Sequence, residues 1–255
     1  MKIAVLVKQV PDTGEQRKLD PATGLVDRGG ESVLDEINER ALEVALRYRD
    51  ANKGTEVVVI SMGPDTLTKG LRKALSMGAD AAVHVLDDTL VGADAGRTAA
   101  VLAAAVRSVA AGLVVAGNES TDGRGGVVPA MVAEHLSLPL LSAMDTVELS
   151  ENEVSGHRST ETGSMRASAP LPAVISVTER SAEARFPSFK GIMTAKRKPL
   201  TVLSVAQLGS LPGDQALTSI VSTLRSPART AGRRIVDEGN AGKELAEFLR
   251  SDRLI

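Results

Sequence analysis

Short runs of aliphatic and β-branched residues alternate along the first half of the chain with longer stretches whose apolar positions recur every three to four residues. Residues 3–7, 56–61, 81–86 and 113–116 have the length and composition of buried strands. Between them, 36–50 gathers Ile37, Ala41, Val44, Ala45 and Tyr48 near one helical face and leaves Glu39, Arg40, Glu43, Arg47 and Arg49 for solvent. The pattern predicts a second helix over 67–77, closed by Gly78. It predicts a closely packing, alanine-rich third over 94–110, and a short fourth over 128–136 with Pro129 in its first turn.

This β-α alternation predicts an α/β fold: a doubly wound, mostly parallel sheet covered on both faces, because parallel strands need crossovers and helices supply them. In such sheets ligands bind beyond the carboxyl ends of the strands, which directs attention to the loops after Val7, Ser61, Leu86 and Ala116. The pattern then changes. Residues 145–149 and 153–160 read as a hairpin around Ser150-Glu151-Asn152, with further strands at 165–169 and 173–178, so antiparallel edge strands are expected. Beyond Val205 glycine and proline punctuate a polar stretch before a final helix near 243–250. The division expected is therefore an α/β domain over 1–205 and an extended C-terminal arm over 206–255, a partner-facing segment or else a disordered tail.

Composition narrows the function. Of the 255 residues 43% are hydrophobic and 24% charged, as in globular proteins. A formal charge of -2 gives no general attraction to nucleic acid or an anionic membrane, and with only 2% aromatic residues there are no stacking platforms for single strands. No cysteine is present, which removes disulfides, thiolate metal ligands and thiol nucleophiles, and His84, His135 and His157 are too scattered to suggest zinc. The apolar run over 101–116 is broken by Arg107, Ser108 and Gly112, so no membrane-embedded span of roughly 20 residues is expected. The opening residues read as a first strand rather than a signal peptide, which predicts a cytoplasmic protein.

The segment Gly117-Asn118-Glu119-Ser120-Thr121-Asp122-Gly123-Arg124-Gly125-Gly126-Val127-Val128-Pro129 follows a strand and opens a helix. Glycines let backbone N–H groups approach a ligand, and a helix N-terminus favours negative charge, so this is either a phosphate-binding loop or an ordinary glycine-rich turn. It matches neither Gly-x-x-x-x-Gly-Lys-Ser/Thr nor Gly-x-Gly-x-x-Gly. Asp35 and Asn38 are placed to cap the helix after them or to reach a ligand at the same sheet edge. Met62-Gly63-Pro64 forms a turn after the second strand, open as the floor of an adenine pocket. Residues 185–198 hold Phe186 and Phe189 among basic residues with no acid, either an anchor for a partner's pocket or a loop folded back on the domain. No Gly-x-Ser-x-Gly, His-Glu-x-x-His or paired-carboxylate constellation suggests an enzyme.

Four stretches carry a family resemblance in order and spacing: Lys2-Ile3-Ala4-Val5-Leu6-Val7-Lys8-Gln9-Val10-Pro11-Asp12, Ala74-Leu75-Ser76-Met77-Gly78-Ala79-Asp80, the 117–126 loop, and Phe189-Lys190-Gly191-Ile192-Met193-Thr194-Ala195-Lys196. Together they resemble the beta subunit of electron transfer flavoproteins. The resemblance implies a fold of the adenine-nucleotide alpha-hydrolase and universal-stress-protein type, and a heterodimer with an alpha subunit that holds most of one FAD. It also implies an AMP in the beta chain, which carries no chemistry alone. The implied AMP pocket comprises Leu6, Asp35, Glu36, Ile37, Asn38, Met62, Gly123, Arg124, Gly125, Gly126, Val127, Val128, Pro129, Ala130, Met131, Val132 and Ala133. Thr13 and Ile37 stand near the flavin edge. Phe189, with Lys190, Ile192 and Met193, stands where the family docks partner dehydrogenases through a leucine-type anchor. The implied function is a relay of electrons from acyl-CoA-type and other dehydrogenases to a membrane quinone reductase. Departures occur at Val127, where many members have glutamine, and at Thr13 and Ile37, where they have aromatic residues. Two alternatives remain: a bifurcating branch with a second FAD in place of AMP, and a stand-alone ATP-binding module of the universal-stress type.

Overall fold

The computed structural model describes residues 1–14, 16–209, 211, 216–224, 226–232 and 234–255. Residues 210, 212–215, 225 and 233 of the expected arm lie outside the described residues. The chain divides into two units, Met1–Val221 and Ser222–Ile255. In the first unit the main strands are β1 (Lys2–Leu6), β4 (Glu56–Met62), β5 (Ala81–Val85), β6 (Leu113–Gly117), β7 (Leu140–Met144), β11 (Ala173–Val177) and β12 (Leu200–Leu203). They form one seven-stranded sheet in the order β12-β5-β4-β1-β6-β11-β7, parallel at every junction. The helices are α1 (Glu36–Ala51), α2 (Thr68–Met77), α3 (Ala95–Val109), α4 (Val128–Leu136) and the short α5 (Phe189–Ala195).

Side-chain alternation along the strands divides the core in two. Ile3, Val5, Val57 and Val59 meet Ala41, Leu42 and Leu46 of α1 and Leu71, Ala74 and Leu75 of α2. Ala4, Leu6, Val58 and Ile60 meet the alanine-rich face of α3 and Val132 and Ala133 of α4 on the other side. Acidic residues in the first turn of α1 and Arg49 in its last turn oppose the helix dipole, and Asp94 caps α3 by accepting from the Arg97 N–H.

The antiparallel strands expected at the edge of the main sheet pair among themselves instead. β8 (Thr146–Leu149), β9 (Glu153–Thr160) and β10 (Gly163–Pro170) form a separate three-stranded sheet, and β2 (Gln9–Pro11) pairs with β3 (Ser32–Leu34). The burial pattern explains the separation: β11 is buried at every position and is inserted between β6 and β7, while β10 is largely exposed. β2, β3, β12 and α5 are too short to give a periodic signal in the sequence, and β7 (LLSAM) has a shorter unbroken aliphatic run than the other five-residue strands. The described residues from 206 to 221 belong to the first unit, where the second Asp94 carboxylate oxygen accepts from the N–H groups of Leu217 (2.8 Å) and Thr218 (3.2 Å). In the second unit α6 (Ala241–Ser251) is amphipathic, with Leu245 and Phe248 exposed.

Candidate nucleotide crevice and docking helix

The strand order fixes where a ligand site belongs. From β1 the chain winds outward through β4 and β5, then returns to place β6 on the other side of β1. The crossovers beside β1 and β6 therefore leave in opposite directions, opening a crevice beyond their carboxyl ends. The residues there come from three segments: Val7, Lys8 and Gln9 after β1, the start of α1, and the glycine-rich loop after β6.

Glycine at 117 is a packing requirement. A Cβ there would lie 2.6 Å from Ile37 Cγ2 and 2.8 Å from Asn38 Nδ2, so the loop leaves β6 pressed against the first turn of α1. Asp35 and Asn38 work across this contact instead of capping their own helix. Asp35 occupies the N-cap position with no side-chain cap bond, and its Oδ2 accepts from the Thr121 N–H (2.8 Å). Asn38 Oδ1 accepts from the Lys8 N–H at 2.7 Å, and the Lys8 carbonyl accepts from the Asp35 N–H at 3.0 Å.

Two carboxylates in this crevice have opposite electrostatic settings. Asp35 is fully buried, and burial pushes its pKa up against the bonds from Thr121; its Oδ1 has no hydrogen-bond partner. Asp122 has a side chain only 1% exposed, but Lys8 Nζ donates to its Oδ1 (2.7 Å) and Arg28 to its Oδ2 (2.9 Å). Burial alone would raise Asp122. The Lys8 hydrogen bond and charge, with bonds from Ser120 and Gly123, outweigh that and lower it to about 2.

The crevice has two sides. Leu6 and Met62, at the carboxyl ends of neighbouring strands, face the α3 and α4 side. The Met62-Gly63-Pro64 turn there is held by the Gly63 N–H donating to the Val85 carbonyl and by buried His84 Nε2 bonding the Gly63 carbonyl at 2.9 Å. On the other side a cleft of about 310 Å³ brings Glu36, Ile37 and Arg124 together with Arg17, Arg40, Glu179 and the 118–121 stretch. Gly123, Arg124, Gly125, Gly126, Val127, Ala130 and Met131 are exposed, Val128 is half-buried, and Pro129, Val132 and Ala133 are buried. Thr13 lies on an exposed turn and does not line the cleft. A Cβ on Gly125 would meet nothing within 4 Å, and α4 begins at Val128 with no side-chain cap. The loop therefore offers open backbone and an uncapped helix start.

The sequence did not single out Lys8, Arg28 or Gly117, nor Asp122 and Thr121 within their loop. The usable signal was placement: Lys8 and Asp122 both follow strands of a doubly wound sheet at its carboxyl edge.

The phenylalanines of the basic segment after β11 do not fold back on the domain, although the segment itself is bonded to α1 and α2. Phe186 is 93% exposed and Phe189 80%, with Ile192 and Met193 beside them in the open. What was expected as a loop contains α5, begun by Ser188, whose Oγ accepts from the Gly191 N–H at 3.0 Å. Arg185, at the segment's start, donates to Glu43 (2.6 Å) and Asp50 (2.7 Å) on α1. Lys198, at its end, is pushed below the ordinary lysine range by burial.

Residues 23–208 match the family model described as the electron transfer flavoprotein domain. The chain is 47% identical to an electron transfer flavoprotein subunit beta of Mycobacterium leprae, with 99% of each chain covered, and 46% identical, again over 99% of each, to that of Mycobacterium tuberculosis. It is also 35% identical to the caffeyl-CoA reductase-Etf complex subunit CarD of Acetobacterium woodii, over 98% of this chain and 97% of that one. The chain belongs to the electron transfer flavoprotein beta-subunit family. As a family member it is an electron carrier, and no helix is long and apolar enough to cross a membrane among the described residues. Nor does any group of three or more His, Asp or Glu among them form a metal site. Family membership replaces the stand-alone universal-stress alternative.

Proposed function

We propose that this beta subunit assembles with an alpha subunit that holds most of one FAD, binds AMP in its own crevice, and relays electrons from acyl-CoA-type and other flavin dehydrogenases to a membrane quinone reductase. The observation that carries the nucleotide assignment is the crevice at the β1/β6 reversal, with its open Gly125 backbone. The residues present fit an adenine nucleotide. Backbone N–H groups of the 125–127 stretch and the start of α4 suit a phosphate, those of Gly123 and Arg124 being bonded within the loop, while Leu6 and Met62 offer apolar contact to a base and the unpartnered Oδ1 of Asp35 awaits a hydroxyl or amino donor. On the opposite side Ile37 supplies an apolar wall to a cleft that also holds Arg17, Arg40 and Arg124, suited to the edge of a flavin.

The flavin, when bound, supplies the one- and two-electron chemistry. This chain's residues position and present: Asp35, Asn38 and Gly117 lock the loop to α1, Lys8 and Arg28 hold Asp122 ionised beneath it, and Phe189 with its neighbours meets the donor. The arm over 206–255 is assigned to the alpha subunit. The test is the nucleotide content of the complex co-purified with its alpha subunit, released by acid and resolved. One FAD and one AMP are expected per heterodimer; two FAD without AMP would replace this assignment with the bifurcating one, and FAD alone would leave the crevice without its nucleotide.

A further inference from the structure

Four large apolar side chains stand in solvent on a seven-residue helix and the residue stretch before it. A helix this short has no stability of its own in water, since nucleation costs more than one or two turns return. Something outside it must hold it, and the contacts are specific. Gly191 faces the C-terminal turn of α2 so closely that a Cβ would be driven into the Ser76 carbonyl oxygen. Arg72 of α2 donates through one guanidinium nitrogen to the carbonyls of Ala195 (2.8 Å), the last residue of α5, and of Lys198 (2.9 Å), three residues beyond it. Lys198 returns the bond: its Nζ donates to the carbonyls of Leu75 (3.0 Å), Gly78 (3.3 Å) and Ala79 (2.6 Å), matching three donors to three acceptors where α2 ends.

We propose that Arg72, Lys198 and Gly191 form a reciprocal clasp between α2 and α5 whose task is to hold Phe189, Ile192 and Met193 in their docking arrangement before the partner arrives. These are positioning residues. They do not meet the partner, and the inference rests on the docking role given above to Phe189. Binding orders flexible side chains and segments at a cost, and a helix already held at both ends avoids most of it. Loss of the clasp is therefore expected in the encounter and not in the redox step.

The test uses the assembled flavoprotein complex with an acyl-CoA dehydrogenase that reduces the unmodified complex, reading KM for the complex, kcat and retained flavin. Phe189→Ala is the reference. Lys198→Cys is expected to raise KM on the order of tenfold with kcat and flavin content held. Because the chain has no cysteine of its own, alkylation of that variant with bromoethylamine restores an ammonium at nearly lysine's reach and is expected to recover KM. The unmodified complex treated in parallel controls for thiols elsewhere. Gly191→Ala is the independent variant: alanine raises intrinsic helix propensity, so a raised KM there cannot come from a weaker helix, only from lifting α5 off α2. If Phe189→Ala raises KM while Lys198→Cys and Gly191→Ala leave it unchanged, the clasp is overturned and docking stands. If Phe189→Ala itself leaves KM unchanged, the docking role falls and the clasp with it. A fall in kcat with unchanged KM in the clasp variants also overturns it.

Discussion

The two loops that carry this protein's candidate function are built on opposite plans. The glycine-rich loop after β6 puts its aspartate inside: Asp122 is nearly sealed from solvent between Lys8 and Arg28, and the loop is bonded through Thr121 to the fully buried Asp35 at the start of α1. The segment from Arg185 to Lys198 puts its oil outside, with two phenylalanines in open water, and its polar groups underneath, bonded to α1 and α2. A small-molecule site needs fixed polar groups facing a concavity, while a docking surface needs an apolar anchor facing out from a rigid base. The first gains from satisfied hydrogen bonds what the second gains from displaced water.

The contrast breaks most sharply at Gly117. Gly117→Ala forces a methyl against Ile37 and Asn38 and is expected to cost about 3 kcal/mol, read as a lowered Tm of the complex together with lost nucleotide. A Tm within a degree of the parent would show that α1 yields easily and that the crevice is not rigid. At the docking segment the expectation reverses. Phe189→Ala should leave stability within about 0.5 kcal/mol, since the ring is exposed, yet weaken docking by about 2 kcal/mol as an aromatic anchor, seen as a raised KM with unchanged flavin.

Asp122 sharpens the comparison through pH. Its folded pKa is depressed from 3.8 to about 2, so its contribution is fully present above about pH 4 and is lost as pH falls through 2. The shift corresponds to about 2 kcal/mol. Urea unfolding should therefore show Asp122→Asn weaker than the parent by about that much at pH 7, with the gap closing towards pH 2; a gap independent of pH would mean that packing, not the ion pairs, holds the loop. Asp35 works against this trend, because burial raises its pKa and protonation relieves the cost. The smallest effect on stability is expected from Gly125→Val, at a position where an added Cβ meets no other atom within 4 Å. Tm should change by less than a degree or two while nucleotide content falls, and full nucleotide retention would make the stretch a turn and nothing more.

Much of the fold was legible because it is written in local periodicity. The strands at β1, β4, β5 and β6, the helices α1 to α4, and the boundaries of α4 all follow from apolar spacing and from Pro129 and Gly78 as punctuation. The glycine-rich loop was visible as a candidate for the same reason. The roles of Asp35 and Asn38 were open between capping and reaching across, and the structure shows them reaching: the partner of Asp35 is Thr121, 86 residues away, and no local pattern encodes that distance. Likewise α5 begins at a local cap, Ser188, but its far end is tied to α2 through Arg72 and Lys198, partners more than a hundred residues apart that no local pattern encodes.

By itself, then, the sequence determined the alternation of strand and helix, the aliphatic core without cysteine, and the segments able to carry a nucleotide or a partner, since each depends on residues near one another in the chain. Only the tertiary structure decided the insertion of β11 between β6 and β7, the reversal at β1 that opens the crevice, the burial of Asp122 between two cations, and the exposure of Phe186 and Phe189. These depend on which distant surfaces find each other. Parallel strands joined by long crossovers leave that choice to packing over the whole sheet.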